Sequence, residues 1–217
     1  MYLAKTPLFF QNLFPGFIWK VPTEEKKLFL TFDDGPIPEL TPWVLNLLNH
    51  NGAKATFFCV GDNVKKHPNI LSDIVSGGHG IGSHTHNHLS GWGADNIPYF
   101  HNVRRCATLV KSNLFRPPYG RLKPSQAFFL QRHYHIIMWD VLSGDFDEKL
   151  SADQCYNNVI NHVQNGSIIV FHDSLKTESK LKYALPRVIE YCMKKGFTFE
   201  ALTEQLIGSF SKLRKSA

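Results

Sequence analysis

Cysteine is scarce in this chain, and its placement excludes more than its number does. The 217 residues hold four cysteines, Cys59, Cys106, Cys155 and Cys192, and no two form a C-x-x-C pair. Cysteine-based zinc modules and thioredoxin-like redox centres are thereby excluded, and four buried thiols in a reducing compartment are expected. Long apolar runs are missing too. No stretch nears the roughly 18 apolar residues of a membrane-spanning helix. Within residues 1–20 the apolar stretches are broken by Gln11, Asn12, Pro15 and Gly16, and no small-residue cleavage site follows. No signal peptide is expected, which makes the protein cytoplasmic on this reading, with contact to the cell envelope compatible. Acidic residues are outnumbered, 18 against 24 basic ones, for a net charge of +6. That excess suits an anionic glycan or a cell-wall surface. The basic residues are dispersed, apart from Lys212, Arg214 and Lys215 in a chain end expected to be solvated, which argues against nucleic-acid binding.

What is present is a chain long enough to bury a real core, with 43% hydrophobic residues and 19% charged ones, and without repeat, low-complexity tract or linker. Strand-like runs fall at 28–32, 55–60, 79–83, 113–116, 134–140, 167–172 and 197–201. Helix-like windows fall between them at 40–50, 62–76, 96–112, 124–132, 152–165 and 178–195. The window 40–50 has Thr41 as N-cap, Pro42 in its first turn and a stop at Asn51-Gly52; the window 178–195 stops at Gly196. Residues 1–25 read as an extension with a short amphipathic helix that packs on the domain or touches a surface. The unbroken alternation predicts one α/β domain with parallel strands. A dinucleotide-binding sheet wants a glycine-rich turn after its first strand, and here Asp33-Asp34-Gly35-Pro36 would repel phosphates. A barrel is therefore predicted, with polar residues of the strand C-terminal ends converging on one mouth.

Those ends carry reactive side chains. Leu28-Phe29-Leu30-Thr31-Phe32 runs into Asp33 and Asp34, a pair that can address one centre only where the backbone turns. Asp34 is a candidate metal ligand and Asp33 faces what the metal activates. The third run ends in His84-Thr85-His86-Asn87-His88. If the segment is helical, His84 and His88 share a face and His86 points away; if it is extended, all three histidines share one. The later runs end in Arg116-Pro117-Pro118-Tyr119, in Trp139-Asp140 with Asp145 soon after, and in His172-Asp173. Two histidines and one carboxylate with open positions form a catalytic zinc pattern, and the same donors alone are compatible with an iron oxygenase. Tyr119 and Trp139 offer aromatic faces to a sugar.

The ordered motifs resemble the polysaccharide deacetylases, the NodB-homology domain of carbohydrate esterase family four, over residues 26–205. T-F-D-D-G is matched by Thr31 to Gly35, H-[ST]-x-x-H by His84 to His88, and R-x-P-[YF] by Arg116 to Tyr119. D-x-x-D-W is matched loosely by Leu142 to Phe146 with Asp145 kept, and L-x-H by Val170-Phe171-His172. The resemblance implies a distorted, incomplete (β/α)7 barrel over 26–207, a basic tail at 208–217, and metal-dependent removal of acetyl groups from N- or O-acetylated sugars. It implies Asp33 as base, Asp34, His84 and His88 as ligands of a divalent ion (Zn2+, with Co2+ or Ni2+ as alternatives), and Arg116 as the group that positions the base. It further implies the Tyr119 N–H as oxyanion donor, His172 as acid supported by Asp145, and Val170 in the apolar wall beside the substrate. The expected partner is an acetylated glycan containing N-acetylglucosamine. An O-acetyl ester substrate and a non-catalytic glycan-binding role are the alternatives; retention of Asp33 and His172 speaks against the latter.

Overall fold

The structure is a computed structural model describing residues 3–215, with the side chains of 210–215 outside the description. In chain order the elements are α1 (Leu8–Leu13), β1 (Lys27–Asp33), α2 (Thr41–His50), β2 (Ala55–Cys59), α3 (Gly61–Lys66), α4 (Pro68–Ser76), β3 (Gly80–Ser83), α5 (Asn96–Val110) and β4 (Leu114–Phe115). They continue with α6 (Pro124–Leu130), β5 (His135–Ile136), β6 (Val141–Leu142), α7 (Ala152–Ile160), β7 (Ile168–His172), α8 (Glu178–Lys194), β8 (Thr198–Phe199) and α9 (Glu204–Lys215). The sheet order is β5-β4-β3-β2-β1-β7-β6, all parallel, with β8 added to the start of β1. The two edges, β5 and β6, are successive pieces of the single stretch 135–142, so the sheet curls into a distorted, incomplete (β/α)7 barrel closed by that stretch instead of a ladder.

The strands are buried on both faces, which is why they read as continuous apolar runs. Along β1, Leu28, Leu30 and Phe32 join Phe57, Ile169, Phe171 and the inner faces of α2, α7 and α8 in the outer core. The alternate residues point into the barrel, where Phe29, Phe58, Leu114, Ile137 and Ile168 pack with Val21, Leu202 and Ile207. The barrel is thus plugged by apolar side chains through its lower half, and Asp33, His84 and His172 stand at the C-terminal ends of the strands. The four cysteines are buried free thiols.

Several elements differ from the sequence expectation. The window 62–76 splits into α3 and α4 at His67, which leaves the helical region (φ −129°, ψ 56°) because Pro68 follows it. The run 134–140 keeps only β5, and β6 continues beyond it. Thr41 is the first residue of α2, not its cap; its hydroxyl accepts from Ile37 N–H and donates to Asp173 instead. The helix α1 has no buried residue, so it is not amphipathic toward the domain. The flanking segments make the contacts: Lys5 pairs in β fashion with Val141 and Ile18 with Ile137, while Lys5 Nζ reaches the buried Asp140 at 2.6 Å. The backbone of the expected tail continues α9 as far as Lys215, whereas the side chains of Lys212, Arg214 and Lys215 lie outside the described residues. No helix among the described residues is long and apolar enough to cross a membrane.

Candidate active site

Asp34 lies just past β1 with φ 84°, His88 has φ 58° and Tyr119 φ 60°. Three side chains of one mouth therefore sit on left-handed backbone that ordinary residues avoid, a clustering typical of functional sites. The segment after β3 is neither helix nor strand. Turns at Thr85 (φ 63°) and His88 bring the rings of His84 and His88 to 5.1 Å, and the Thr85 hydroxyl accepts from Leu89 N–H to hold that turn. His86 is directed away and meets Asp62 of α3 at 3.1 Å.

Nε2 of His88 stands 3.1 Å and Nε2 of His84 3.8 Å from Asp34 Oδ1. The three donor atoms lie within 4.8 Å of one another. Asp34 Oδ1 is buried yet engages in no hydrogen bond, so the 3.1 Å approach lacks hydrogen-bond alignment. The carboxylate oxygen and the two imidazole nitrogens are gathered as the ligands of one cation are. His84 Nδ1 lies 2.8 Å from the Arg116 carbonyl oxygen, which can only accept. Nδ1 therefore carries the hydrogen and Nε2 the lone pair. Burial pushes the His84 ring down to about 4 against the opposing charge of Asp33, so it is neutral and able to ligate. Burial acts to raise the Asp34 carboxyl, but His88, His172 and His84 outweigh it and hold it below the usual range. One carboxylate and two imidazoles match a three-protein-ligand site for Zn2+ or a similar divalent ion.

Asp33 faces inward beneath this cluster, buried, with Oδ1 2.7 Å from Arg116 Nη1. Arg116 is itself fully buried. Its fork also donates to Thr31 Oγ1 at 2.7 Å, Met138 O at 2.9 Å and Ile137 O at 3.2 Å, and the guanidinium lies 4.1 Å from the Phe58 ring centre. A carboxylate held this way has one orientation. On the other side His172 ends β7. Asp145, turned inward after Gly144 (φ 78°), accepts from the His172 backbone N–H and meets its Nδ1, both at 2.8 Å. Burial acts to lower the His172 pKa, and the charge and hydrogen bond of Asp145, with Asp34 and Asp33 behind it, raise it to about 10. Its Nε2 side carries a proton at neutral pH.

The remaining expected residues border the same mouth. The Tyr119 ring is exposed and meets His88 edge-on at 4.8 Å. Trp139 is half-buried under Gly120, where an added Cβ would come within 2.6 Å of its ring. Val170 is buried two residues below His172 on the same face of β7. Asp173 was visible in sequence only as a carboxylate at a strand end, with no role. It accepts from Gly35 N–H at 3.0 Å and from the Thr41 hydroxyl at 2.6 Å, clamping the Asp33-Asp34 turn across 138 residues of chain. Asn63 of α3 supports that turn from the other side by donating to Asp34 O at 2.8 Å.

A curled parallel sheet gathers at its strand ends a carboxylate–guanidinium pair, a carboxylate–imidazole pair and a cluster of one carboxylate and two imidazoles, an arrangement that suits a barrel hydrolase. The sequence model of the polysaccharide deacetylase family matches residues 20–133. A peptidoglycan-N-acetylglucosamine deacetylase of Bacillus cereus is 32% identical over 200 residues, covering 87% of this chain and 92% of the relative. A chitooligosaccharide deacetylase of Azorhizobium caulinodans is 26% identical, covering 84% of this chain and 96% of the relative. The fold superposes on the crystal structure of the Bc1960 peptidoglycan N-acetylglucosamine deacetylase, bound to a substituted N-hydroxybenzamide, with TM-score 0.82 and 30% identity over 91% of this chain and 95% of that one. The chain belongs to the polysaccharide deacetylase family, the NodB-homology group of carbohydrate esterase family four.

Proposed function

We propose that this enzyme hydrolyses the N-acetyl group of N-acetylglucosamine residues in a glycan, with Asp34, His84 and His88 holding a divalent ion, most suitably Zn2+. The observation that carries the reading is the unpartnered Asp34 Oδ1 facing two Nε2 atoms, flanked by Asp33 on Arg116 and His172 on Asp145. A divalent ion there supplies Lewis acidity toward water and toward the acetyl carbonyl.

The chain's own residues do the rest. Asp33, fixed by Arg116, accepts the proton of the attacking water. The Tyr119 N–H donates to the oxygen on which charge develops, a contact typically worth about 3–4 kcal/mol in the barrier. The amine is a poor leaving group, and His172 hands it a proton from Nε2 while Asp145 keeps Nδ1 occupied. Trp139 and Val170 close the apolar side of the acetyl pocket.

The relatives named for peptidoglycan and chitooligosaccharide support this substrate class. Peptidoglycan as substrate would place the enzyme at the envelope, whereas a soluble oligosaccharide fits the cytoplasmic expectation. Acetate release from peptidoglycan, N-acetylglucosamine oligomers and acetylxylan, with and without Zn2+, tests the reading. Asp33→Asn should keep metal and lose turnover, and Asp34→Ala should lose metal. Equal metal loss in both would show the carboxylates misassigned, and release from acetylxylan alone would overturn the amide reading.

A further inference from the structure

The helix α1 is built inside out. Its polar Gln11 faces the domain, donating to Thr6 O at 3.0 Å and to the buried Asp140 Oδ1 at 3.4 Å. On the opposite face Phe9 and Leu13 stand one turn apart, 69% and 53% exposed. Leu8 beside them is 73% exposed, and the Phe10 ring meets Phe9 edge-on at 6.0 Å.

This is not the exposure of a frayed chain end, because the helix is pinned on both sides. Before it, Thr6 donates its N–H to Asp140 O and its hydroxyl to Trp139 O, each at 2.9 Å, and Lys5 pairs with Asp140. After it, Phe14 stacks on Phe17 at 5.4 Å, and Phe17 and Trp19 enter the core formed with α5, β4 and α6. The apolar surface also extends onto α6. Gly16 lies so close to the Gln131 side chain that an added Cβ would meet its Nε2 at 2.6 Å, and one turn back from Gln131 stands Phe128, 72% exposed. Contiguous apolar side chains held out in water mark a surface that something apolar covers.

Charge decides what covers it. All 18 acidic residues lie outside residues 1–23 and 96–139, the two stretches that build this flank. The rest of the chain is net acidic, so the positive excess of the protein sits here. Arg132 follows Gln131 at the seam with the extension, and Arg104 of α5 stands near enough to Tyr134 for its charge to act on that phenol. Both are exposed, and neither forms an ion pair among the described residues. A second copy docked by the same face would bring like charges together. An anionic lipid surface takes both features: the acyl boundary accepts phenylalanine and leucine side chains, and the headgroup phosphates accept guanidinium donors.

We infer that α1 and the acid-free flank beside it seat the protein peripherally on an anionic membrane surface, with Phe9 and Leu13 in the acyl boundary and Arg132 and Arg104 at the phosphates. The test is sedimentation of the full chain with phosphatidylcholine vesicles containing about 30% phosphatidylglycerol, beside vesicles of phosphatidylcholine alone. Wild type should bind the anionic vesicles and come off as NaCl rises from about 0.1 M to about 0.5 M. Phe9→Ser combined with Leu13→Ser should weaken that binding about a hundredfold, which is about tenfold for each side chain. Arg132→Glu should weaken it about tenfold, on the anionic vesicles only. All three positions are exposed, so the urea midpoints should stay at the wild-type value. Phe9→Trp keeps the surface apolar and gives a second readout: on the anionic vesicles its added emission should move to the blue and be quenched by bromine-labelled acyl chains. Wild type that stays in the supernatant, binding indifferent to lipid charge, a double variant that binds as wild type does, or an added emission that bromine leaves unquenched would overturn the inference. So would a dimer in lipid-free buffer that the double variant dissociates, since the face would then join two copies of the chain.

Discussion

Arg116→Met removes the group on which the lower half of the site hangs. The methionine fills comparable space on the Phe58 ring but carries no charge and no donors. Asp33, 3% exposed, is left without its 2.7 Å partner. Two carbonyls of the closing stretch, Ile137 O and Met138 O, lose their donors as well. Breaking a buried pair by deleting one partner costs about 3–5 kcal/mol. A protein of ordinary stability has about 5–15 kcal/mol to lose, so the variant should fold with a sharply lower urea midpoint. The decisive comparison is Arg116→Met with Asp33→Asn, which removes the stranded charge. The double variant should be more stable than Arg116→Met alone, and on the proposed mechanism it should be inactive. If Arg116→Met lost under about 1 kcal/mol, the range of an exposed pair, or if the double variant fell further, the buried-pair argument would be refuted.

Two further perturbations probe the flanks. The His172 pKa, about 10 against an ordinary 6.5, is raised in the folded state. Its stabilisation is therefore complete below about pH 6.5 and lost as pH climbs from there through 10. At about 1.36 kcal/mol per pKa unit the loss is a few kcal/mol. Urea titrations of metal-free protein at pH 6.5 and 9.5 should show a steeper fall for wild type than for Asp145→Asn; equal falls would refute the pairing. Gly35→Ala places a Cβ 2.1 Å from Asp173 Oδ2, which must leave Gly35 N–H and the Thr41 hydroxyl. A loss of about 1–3 kcal/mol is expected, and Asp173→Ala in the same background should add little; a Gly35→Ala protein as stable as wild type would contradict the clamp.

Much of this site was legible because a parallel barrel gathers strand ends, and the reactive residues stand at those ends in the sequence. Asp33, Asp34, Arg116 and His172 each follow an apolar run, so their convergence needed only the fold class. The route by which His84 and His88 meet was not legible. Helix and extended chain were the two simple options, and the chain uses left-handed turns at Thr85 and His88, the first of which is disfavoured for a β-branched residue. The Asp173–Gly35 clamp joins residues too distant in sequence to pair by pattern. The break at His67 was readable from Pro68, but the apolar periodicity on either side of it masked the proline. Two-residue strands such as β6 leave too little alternation to detect.

The central claim is that Asp34, His84 and His88 converge on one divalent ion beside Asp33 and His172. Crystals of the zinc-loaded protein, measured for anomalous scattering at the zinc edge, test it most directly. A single strong peak is expected about 2.0–2.2 Å from one Asp34 oxygen and both Nε2 atoms, absent in Asp34→Ala. A peak held by other residues, or none at this mouth at saturating Zn2+, would contradict it.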